Sequence, residues 1–599
     1  MTDHEPVIDQ ERWKARFRAA RVGLPEWAAD APARSFHRSN ASGTWEIHAR
    51  DESTGTARQV THRANGTLTA AIDPAGDWLW WFADADGGEY GVWMRQPFDG
   101  GDDEPAVPGL EPAYPAGLAL GSSGLAVVGG TVRGGTTIHL CVPGKSPTVL
   151  YRHEQDAWVA ALSRDESLIA IGHSEAGDSR HPAVRVLRPD GTVVADLADG
   201  PGLGVRAGAF SPAPSPSPGE AFLLVEHERR GRPEPLLWDV LTGRQEEIVL
   251  DLPGELTASW YPDGSALLIT HTHHARHQLY RYDLAHKELT RLPTPRGVIA
   301  GAAARPDGTV AFAWTDAASP PVIRSTSGSV LLTPPGPTPP SSVPVEDLWV
   351  DGPGGPIHVL ISRPPGGGEQ PHPCLFDVHG GPAGWNDDSY NPPAAVWVDQ
   401  GFLVVHLNFR GSTGYGSQWR DAIEGRPGLT ELEDVHAVRD RLVADGIADP
   451  ARMVLSGRSW GGYLTLLGLG LRPEAWTLGF ADAPIADYLT AYRDETEMLR
   501  AYDRSLFGGS PDEVPERYRR SSPLSYAERV RAPVMILAGE NDPRCPIRQI
   551  DRYVERLGEL GKECRVYRYD AGHGSLVAEE RIRQTIEMID FVGTHITTS

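Results

Sequence analysis

The stretch Gly457-Arg458-Ser459-Trp460-Gly461-Gly462-Tyr463 decides how the C-terminal part of this chain folds. It follows the apolar run Met453-Val454-Leu455 and opens a second apolar run that ends at Leu469. This order predicts a strand, a sharp turn and a helix, and the glycines let the strand and the helix approach closely. A serine at such a turn stands clear of the sheet edge, with a helix N-terminus behind it. That position suits a nucleophile whose attack generates an oxyanion.

A hydroxyl nucleophile needs a base, and the base needs an acid that orients it. In α/β-hydrolases the three follow one another as serine, acid and histidine. Downstream of Ser459, a buried-strand pattern ending at Gly539 runs directly into Glu540-Asn541-Asp542. A later strand pattern, Cys564 to Tyr569, ends in a glycine-flanked His573. The sequence therefore predicts Ser459 as nucleophile, His573 as base and Asp542 as orienting acid.

Each of these residues also has a plainer interpretation. A G-x-S-x-G pattern arises by chance in a chain with 66 glycines, and His573 is one of 21 histidines. Asp542 precedes Pro543, a pair that is typical of turns. Glu540 is a second candidate for the acid, although it lies nearer the strand interior. The chain order and the strand-end positions of all three residues together favour the catalytic interpretation.

An oxyanion hole needs two N–H donors. One is expected from Trp460, the residue after the nucleophile. The other is expected from a glycine-rich loop after an earlier strand, which the stretch Pro373 to Pro382 supplies. A simple strand-ending turn is the alternative for that loop.

Taken together, these motifs resemble the prolyl oligopeptidase family of serine peptidases, and within it the acylaminoacyl-peptidases and related aminopeptidases. The resemblance is dense over roughly the C-terminal 250 residues and is otherwise limited to a repeat pattern. The stretches that carry it are His379-Gly380-Gly381-Pro382, Asn408 to Gly416, Glu433-Asp434-Val435, the Ser459 turn, Asp542 to Pro546, and Gly572-His573.

The resemblance implies an α/β-hydrolase catalytic domain with a doubly wound, mostly parallel sheet, plus an N-terminal seven-bladed β-propeller. It implies Gly381 and Trp460 as main-chain oxyanion donors and Arg544 as a residue that holds the substrate, with a loop salt bridge as the alternative for Arg544. Two positions depart from the family pattern. Relatives often have tyrosine at Trp460, and some use a tyrosine hydroxyl at His379, which histidine does not supply.

Composition limits the classes of partner and compartment. The chain has 599 residues and a net charge of −24 without basic runs, which argues against nucleic acid and membrane surfaces as partners. Its four scattered cysteines predict reduced thiols and no structural zinc. The first residues lack the pattern of a signal peptide, and the apolar runs are too short for a spanning helix, so a cytoplasmic location is expected.

The N-terminal half shows a repeat. A polar turn followed by an apolar strand recurs roughly every 45 residues, which is typical of four-stranded propeller blades, and about seven copies fit. A β-sandwich is the alternative. Clear copies begin at Asp73, Ser163, Pro262 and Pro306, and weaker ones lie near Gly121 and Ser211.

The predicted organisation has four parts. Residues 1–34 form an N-terminal helical segment, with a helix from Asp9, as a candidate N-cap, to Val22. Residues 35–333 form the propeller, residues 334–344 a proline-rich linker, and residues 345–599 the catalytic domain. By resemblance the first helix packs on the catalytic domain; the alternative is that it covers the propeller edge.

The histidines 271, 273, 274 and 277 lie between two strand patterns of one blade. No acidic or cysteine partner is spaced for zinc, so a polar hairpin is the better interpretation, and we predict neither a metal nor a cofactor.

The favoured function is a serine peptidase that cleaves short peptides through an acyl-enzyme and releases N-terminal or N-acylated residues. A dipeptidyl-peptidase specificity ranks lower, because the adjacent Glu246 and Glu247 should point to opposite faces of a strand and make a poor clamp for a free amine. Two alternatives remain open. One is an esterase, amidase or cyclase that acts on a small metabolite, and the other is an inactive hydrolase whose propeller is a binding platform. The residue preference, the cleavage mode and a homo-oligomeric state are left open.

Overall fold

A computed structural model describes residues 10–213, 219–366 and 370–596. The N-terminal half consists of seven four-stranded antiparallel sheets arranged as the blades of a β-propeller. The fold class predicted from the sequence is confirmed. Blades 1 to 4 comprise β1–β4 (Glu26–Trp27, Arg34–Ser39, Glu46–Asp51, Thr56–Gln59), β5–β8 (Ala70–Ile72, Trp78–Asp84, Gly91–Pro97, Glu104–Pro105), β9–β12 (Tyr114–Leu120, Ala126–Val132, Gly135–Cys141, Thr148–His153) and β13–β16 (Ala157–Leu162, Ile169–His173, Ala183–Leu187, Val193–Leu197).

Blades 5 to 7 follow the same pattern. They comprise β17–β20 (Val205–Phe210, Phe222–His227, Glu234–Asp239, Gln245–Glu247), β21–β24 (Glu255–Trp260, Ala266–His273, Arg276–Asp283, Glu288–Arg291) and β25–β28 (Val298–Ala304, Val310–Thr315, Val322–Ser325, Val330–Leu332).

Apolar side chains join the blades into a closed ring. Most residues of the second strand of each blade are buried, and their side chains pack against those of the neighbouring blade. Between the last and first blades, Val22 pairs with Ser39 of blade 1 and packs on Ala313 and Ile323 of blade 7. The segment before blade 1 therefore helps to close the ring.

The first blade begins earlier than the sequence predicted. Its edge strand β1 starts at Glu26, inside the segment 1–34 that was assigned to the helical part. Two residues of edge strand carry no alternating pattern, so this strand has no signal in the sequence.

The C-terminal half contains one eight-stranded sheet in the order β29-β30-β32-β31-β33-β34-β35-β36, parallel from β32 onward. Residues 333–344, which cover the predicted linker, hold neither helix nor strand. The strands are β29 Val345–Gly352, β30 Gly355–Ser362, β31 His372–Val378, β32 Leu403–Asn408, β33 Ala448–Arg458, β34 Leu478–Asp482, β35 Val534–Gly539 and β36 Cys564–Tyr569.

Helices cover both faces of this sheet, because neighbouring residues of each strand alternate between two cores. Phe376 and Leu455 belong to one core, whereas Leu375 and Val454 belong to the other. The helices are α1 Gln10–Arg18, α2 Pro392–Asp399, α3 Ser417–Asp421, α4 Leu429–Ala444, α5 Trp460–Leu471, α6 Tyr488–Asp494, α7 Glu497–Phe507, α8 Pro515–Ser521, α9 Ile547–Glu559 and α10 Ala578–His595, with a 3₁₀ helix at Pro523–Arg529.

Helix α1 packs on the catalytic domain rather than on the propeller edge. Trp13 and Phe17 are buried against Val396 and Ile582. The guanidinium of the fully buried Arg16 pairs with Asp399, with 2.5 Å between Nη1 and Oδ2. The candidate N-cap Asp9 lies outside the described residues.

A buried cluster of charges joins blade 4 to α3. His181 Nδ1 lies 2.8 Å from Asp178, and Nε2 lies 3.3 Å from Asp421 of α3. Arg180 and Arg420 also pair with Asp421. Burial lowers the pKa of His181, but the hydrogen bonds to Asp178 and Asp421 outweigh this and raise it to about 9. The imidazolium therefore stabilises the contact between the two domains.

This cluster predicts how stability depends on pH. A histidine whose pKa is raised on folding contributes its full stabilisation of the folded state at pH values below its unfolded pKa, which is near 6.5. For His181 this stabilisation is lost as the pH rises through the folded pKa of about 9. Between pH 7 and pH 9.5 we expect the wild type to lose about 2 kcal/mol of stability relative to His181→Gln. Thermal unfolding of both proteins across this range checks this. If the Tm of the two proteins changed equally with pH, the prediction would be contradicted.

Candidate active site

The turn at Ser459 has the strained backbone that the sequence predicted. Ser459 adopts φ 58° and ψ −118°, and its N–H donates to Asp482 O at 2.8 Å. A non-glycine residue at positive φ is held there by its surroundings. A Cβ at Gly461 would lie 2.0 Å from Val378 O, and one at Gly462 would lie 2.7 Å from Asp482 O, so the glycines permit the close approach of strand and helix.

Asp542 and His573 meet as predicted. His573 Nδ1 lies 2.8 Å from Asp542 Oδ2. A carboxylate only accepts, so Nδ1 carries the proton and Nε2 is left free to act as a base. The other oxygen of Asp542 accepts the N–H groups of Arg544 at 2.8 Å and Cys545 at 2.9 Å. Three hydrogen bonds thus fix the buried carboxylate.

Arg458 places the loop of His573 beside the nucleophile. Its Nη2 donates a hydrogen bond to the backbone oxygen of His573. Gly574 packs directly against the same guanidinium, because a Cβ there would lie 1.7 Å from Nη2. The hydrogen bonds of the described residues do not include one between Ser459 Oγ and the His573 ring. Such bonds are often long before a substrate binds.

The loop after β31 also lies against the nucleophile. A Cβ at Gly380 would lie 3.5 Å from Ser459 Cβ. Trp460 is the first residue of α5, so its N–H has no partner one turn earlier in the helix. The structure thus brings the Gly380–Gly381 loop and the start of α5 together at Ser459.

His379 is held in this loop by hydrogen bonds at both of its ring nitrogens. Its Nδ1 donates to Gly380 O at 2.8 Å, and its Nε2 accepts from Ser412 Oγ at 2.7 Å. The ring stacks on Phe409 at 4.2 Å. Burial lowers the pKa of His379 to about 4, so the ring stays neutral and keeps both hydrogen bonds. The stretches 379–382 and 408–416, which both carry the family resemblance, therefore contact each other through His379.

Two further groups near the nucleophile have no signal in the sequence. Glu431 accepts Trp460 Nε1–H at 3.1 Å and Gly428 N–H at 2.7 Å, and burial raises its pKa to about 8. Asp482 is half-buried and lies 3.6 Å from Arg458, and its partial desolvation raises its pKa as well. Because both residues act through neighbours on other elements, the local sequence gives no sign of them.

The propeller contacts the catalytic loops directly. Asn541 Nδ2 donates to Asp86 O at 3.2 Å, in the hairpin that joins β6 and β7. A Cβ at Gly572 would lie 1.9 Å from Gly87 O, so only glycine fits before His573. The hairpin thus covers the loops that carry Asp542 and His573.

Arg544 reaches the same hairpin. Its Nε lies 2.9 Å from Glu89 Oε1, and about half of its side chain remains exposed. The structure therefore contains the salt bridge that was the alternative for this residue, and it leaves part of the guanidinium open to a substrate.

Comparison with known proteins agrees with this geometry. Residues 389–599 match the model of the prolyl oligopeptidase family. The similarity to this family therefore lies within the C-terminal domain. Curated relatives include the uncharacterized peptidase YuxL of Bacillus subtilis, 30% identical over 239 residues that make up 38% of this chain and 34% of the relative. Another is the acylamino-acid-releasing enzyme of Arabidopsis thaliana, 30% identical over 200 residues, 32% of this chain and 26% of the relative. The aligned part thus spans 34% or less of these relatives' own length.

Solved structures extend the likeness of fold to nearly the whole chain. A puromycin-hydrolyzing peptidase of Mycobacterium tuberculosis superposes with a TM-score of 0.83 at 20% identity, covering 99% of this chain and 97% of that one. The acylaminoacyl peptidase of Pyrococcus horikoshii superposes with a TM-score of 0.71 at 17% identity, covering 98% of each chain. At this identity the likeness concerns the fold alone.

Other predictions can be compared with the structure. Glu246 pairs with Lys287 and Glu247 with Arg229, both on the fourth strand of blade 5. Their carboxylates are engaged in these ion pairs, which agrees with their low rank as an amine clamp. The four cysteines, 141, 374, 545 and 564, are unpaired. Within the described ranges, no helix is both long and apolar enough to cross a bilayer.

Proposed function

We propose that this protein is a serine peptidase that cleaves short peptides through an acyl-enzyme. The observation that carries the proposal is the Asp542–His573 pair, tied by Arg458 to a serine on a strained turn at the end of β33. The match of residues 389–599 to a peptidase family supports it.

The chemistry assigned to these residues has two steps. Ser459 Oγ attacks the carbonyl carbon while His573 Nε2 takes its proton, and the N–H groups of Gly381 and Trp460 stabilise the oxyanion. His573 then gives the proton to the leaving amine as the C–N bond breaks. Water, deprotonated by His573, attacks the acyl-enzyme and releases the acid together with Ser459.

The position of the propeller supports a short substrate. Its hairpin at residues 85–89 contacts the loops of Asp542 and His573, so the propeller limits the space beside these loops for a bulky substrate. We therefore propose short peptides, free or N-acylated, as substrates, released from their N-terminal end. We also propose a cytoplasmic location, in keeping with the four unpaired cysteines. A homo-oligomeric state is left to direct measurement.

A panel of substrates tests the proposal against its alternatives. Free and N-acetylated aminoacyl p-nitroanilides report amide cleavage, and the matching p-nitrophenyl esters report ester cleavage. Amide cleavage that disappears in Ser459→Ala supports the peptidase. Ester cleavage without amide cleavage would favour an esterase or cyclase of small metabolites. No turnover and no labelling by a serine-reactive phosphonate would favour an inactive binding platform.

One observation recommends a small amide for the same panel. A structural neighbour is described as a puromycin-hydrolyzing peptidase, and it covers nearly the whole chain. Puromycin therefore belongs among the substrates, and its cleavage would support the amidase alternative alongside the peptidase.

The role of Arg544 gives a further prediction. If its exposed guanidinium holds the substrate, Arg544→Met should raise KM about 10-fold, since a hydrogen bond from a charged group is worth about 1.5–3 kcal/mol, with a smaller effect on kcat. Glu89→Gln breaks the ion pair but keeps the guanidinium, and a half-exposed pair is worth little, so KM should stay within about 3-fold. Steady-state kinetics of both variants distinguishes a role of Arg544 in substrate binding from a role in the salt bridge alone. Equal effects would show that Arg544 serves only the salt bridge.

A further inference from the structure

A cavity of about 440 Å³ lies next to the catalytic loops, between the sheet and the helices α1, α2 and α10. Gly380, Arg458 and Gly574 are among its lining residues. Gly380 packs against the nucleophile, because a Cβ there would lie 3.5 Å from Ser459 Cβ, and Gly574 directly follows His573. The two-step chemistry of Ser459 and His573 does not use this cavity.

The guanidinium of Arg581 faces this cavity without a polar partner. Arg581 is the fourth residue of α10, and its side chain makes no hydrogen bond or ion pair with residues 10–213, 219–366 and 370–596. Its guanidinium carbon lies 5.6 Å from the centre of the Phe17 ring, which is a weak contact. Its nitrogens keep accessible surface, so they open onto the cavity and are not enclosed by protein. A cation this close to a helix N-terminus is also disfavoured by the helix dipole.

A second guanidinium, that of Arg21, lines the same cavity just after α1. Its Nη2 donates to Arg16 O at 3.2 Å, and no acid within the described ranges forms an ion pair with it. Its Nε is enclosed by protein, but its Nη1 is neither enclosed nor hydrogen-bonded. Arg21 Nη1 is therefore the atom of this residue that can reach a ligand.

The lining carries more positive than negative charge, in a chain whose net charge is −24. Asp482 lies 3.6 Å from Arg458, and Asp377 lies 3.3 Å from His406, so each acid already has a neighbour of its own. Even with both acids ionised, one positive charge is left over. The charged residues of the lining are three arginines and two acids, Arg21, Arg458, Arg581, Asp377 and Asp482.

The surroundings of Arg581 disfavour its charge. Desolvation is the main cause, and repulsion from Arg21 and Arg458 adds to it, so the pKa of Arg581 is lowered to about 10 although Asp482 attracts it. The guanidinium still carries its charge at neutral pH, and this charge destabilises the folded state. An anion in the cavity would offset the effect.

A carboxylate suits this cavity better than other ligands. Its one negative charge matches the excess of one positive charge, whereas a phosphate dianion or a polycarboxylate would exceed it. Its two oxygens can accept hydrogen bonds from two guanidinium groups at once. A metal cation would be repelled by the three arginines.

We propose that this cavity binds a single carboxylate between Arg581 and Arg21, beside the catalytic serine. The carboxylate would compensate the charge of Arg581 next to the loops of Gly380 and Gly574. Two sources can supply it, a free small acid such as acetate and the C-terminus of a short peptide substrate. The site is additional to the catalytic residues, and only the second source rests on the proposed peptidase function.

Thermal unfolding of the full chain in increasing sodium acetate tests the proposal, with the total ionic strength kept constant by sodium chloride. We expect Tm to rise by a few degrees and to saturate with a Kd of about 1–10 mM. The measurement needs no turnover, so its result does not depend on the proposed peptidase. No change in Tm up to about 100 mM acetate, where such a site would be mostly filled, would overturn the proposal.

Matched variants locate the binding. Arg581→Gln should weaken acetate binding at least 10-fold, because charged hydrogen bonds are lost. Without acetate, its Tm should equal or exceed that of the wild type, because an uncompensated charge is removed. An arginine that only stabilised the fold would lower Tm when replaced. Arg21→Gln provides a second variant inside the cavity, with circular dichroism to confirm folding.

Arg583→Gln is the control for these variants. Arg583 is an exposed arginine of the same helix that pairs with Glu580 outside the cavity. This variant should respond to acetate as the wild type does. Equal responses of Arg583→Gln and Arg581→Gln, or a clearly lower Tm of Arg581→Gln without acetate, would overturn the proposal.

Steady-state kinetics with a short peptide and its C-terminal amide identifies the source of the carboxylate. If the C-terminus of the substrate occupies the site, amidation should raise KM about 10-fold in the wild type and much less in Arg581→Gln. If a free acid occupies it, amidation should change KM equally in both proteins. Both results require the acetate binding measured by thermal unfolding.

Discussion

Replacing Ser459 with alanine is expected to lower kcat for a cleaved aminoacyl amide by about 10⁴–10⁶. The reason is that Ser459 Oγ is the atom that would form the acyl bond, and no other hydroxyl shares its place at the tip of the strained turn between β33 and α5. The residual rate would come from the oxyanion donors and from substrate binding alone. Progress curves with enough protein to detect slow turnover measure the drop.

The fold should survive this change. Serine and alanine meet the same restriction at φ 58°, so the strain of the turn stays nearly the same. The expected shift in Tm is within a few degrees. Ser456→Ala is a matched control, since Ser456 is a buried serine of β33, three residues before Ser459. Its kcat should remain near that of the wild type, and a kcat in Ser459→Ala that is equally near wild type would refute the assignment.

Replacing Asp542 with asparagine is expected to lower kcat by about 10³–10⁴. The asparagine oxygen can still accept the N–H groups of Arg544 and Cys545, so the loop keeps its shape. Its amide would then donate to His573 Nδ1, which forces the ring into the tautomer with a proton on Nε2. A ring of that kind does not accept the proton of Ser459.

Glu540→Gln tests the second candidate acid in the same experiment. Glu540 is exposed at the end of β35, whereas Asp542 is buried and bonded to His573. We expect Glu540→Gln to retain nearly full kcat. A large loss in Glu540→Gln combined with a small loss in Asp542→Asn would reverse the two assignments.

Local sequence was sufficient where one short stretch encodes one structural feature. The glycines around Ser459 indicated a sharp turn, and the repeat of polar turn and apolar strand indicated blades. The chain order of Ser459, Asp542 and His573 identified side chains that follow three parallel strands of one sheet, and the structure bonds Asp542 to His573. Such features depend on residues that are close in sequence or at equivalent strand ends.

Contacts between elements that are distant in the chain could not be predicted from local sequence. The bond of Arg458 to the His573 backbone, the pairing of Arg544 with Glu89 and the acceptor role of Glu431 toward Trp460 all depend on how separate elements dock. The cavity beside the catalytic loops shows the same limit. Arg21 and Arg581 line it together only because α1 packs against α10.

Labelling with a fluorophosphonate, followed by mass spectrometry of the peptides, tests the central claim most directly. The account predicts one adduct per chain, on Ser459, and its loss in both Ser459→Ala and a chain denatured before labelling. Denaturation separates Ser459 from the His573 base and the oxyanion donors, which together activate the hydroxyl. A folded chain that remains unlabelled, or an adduct on a different serine, would contradict the account.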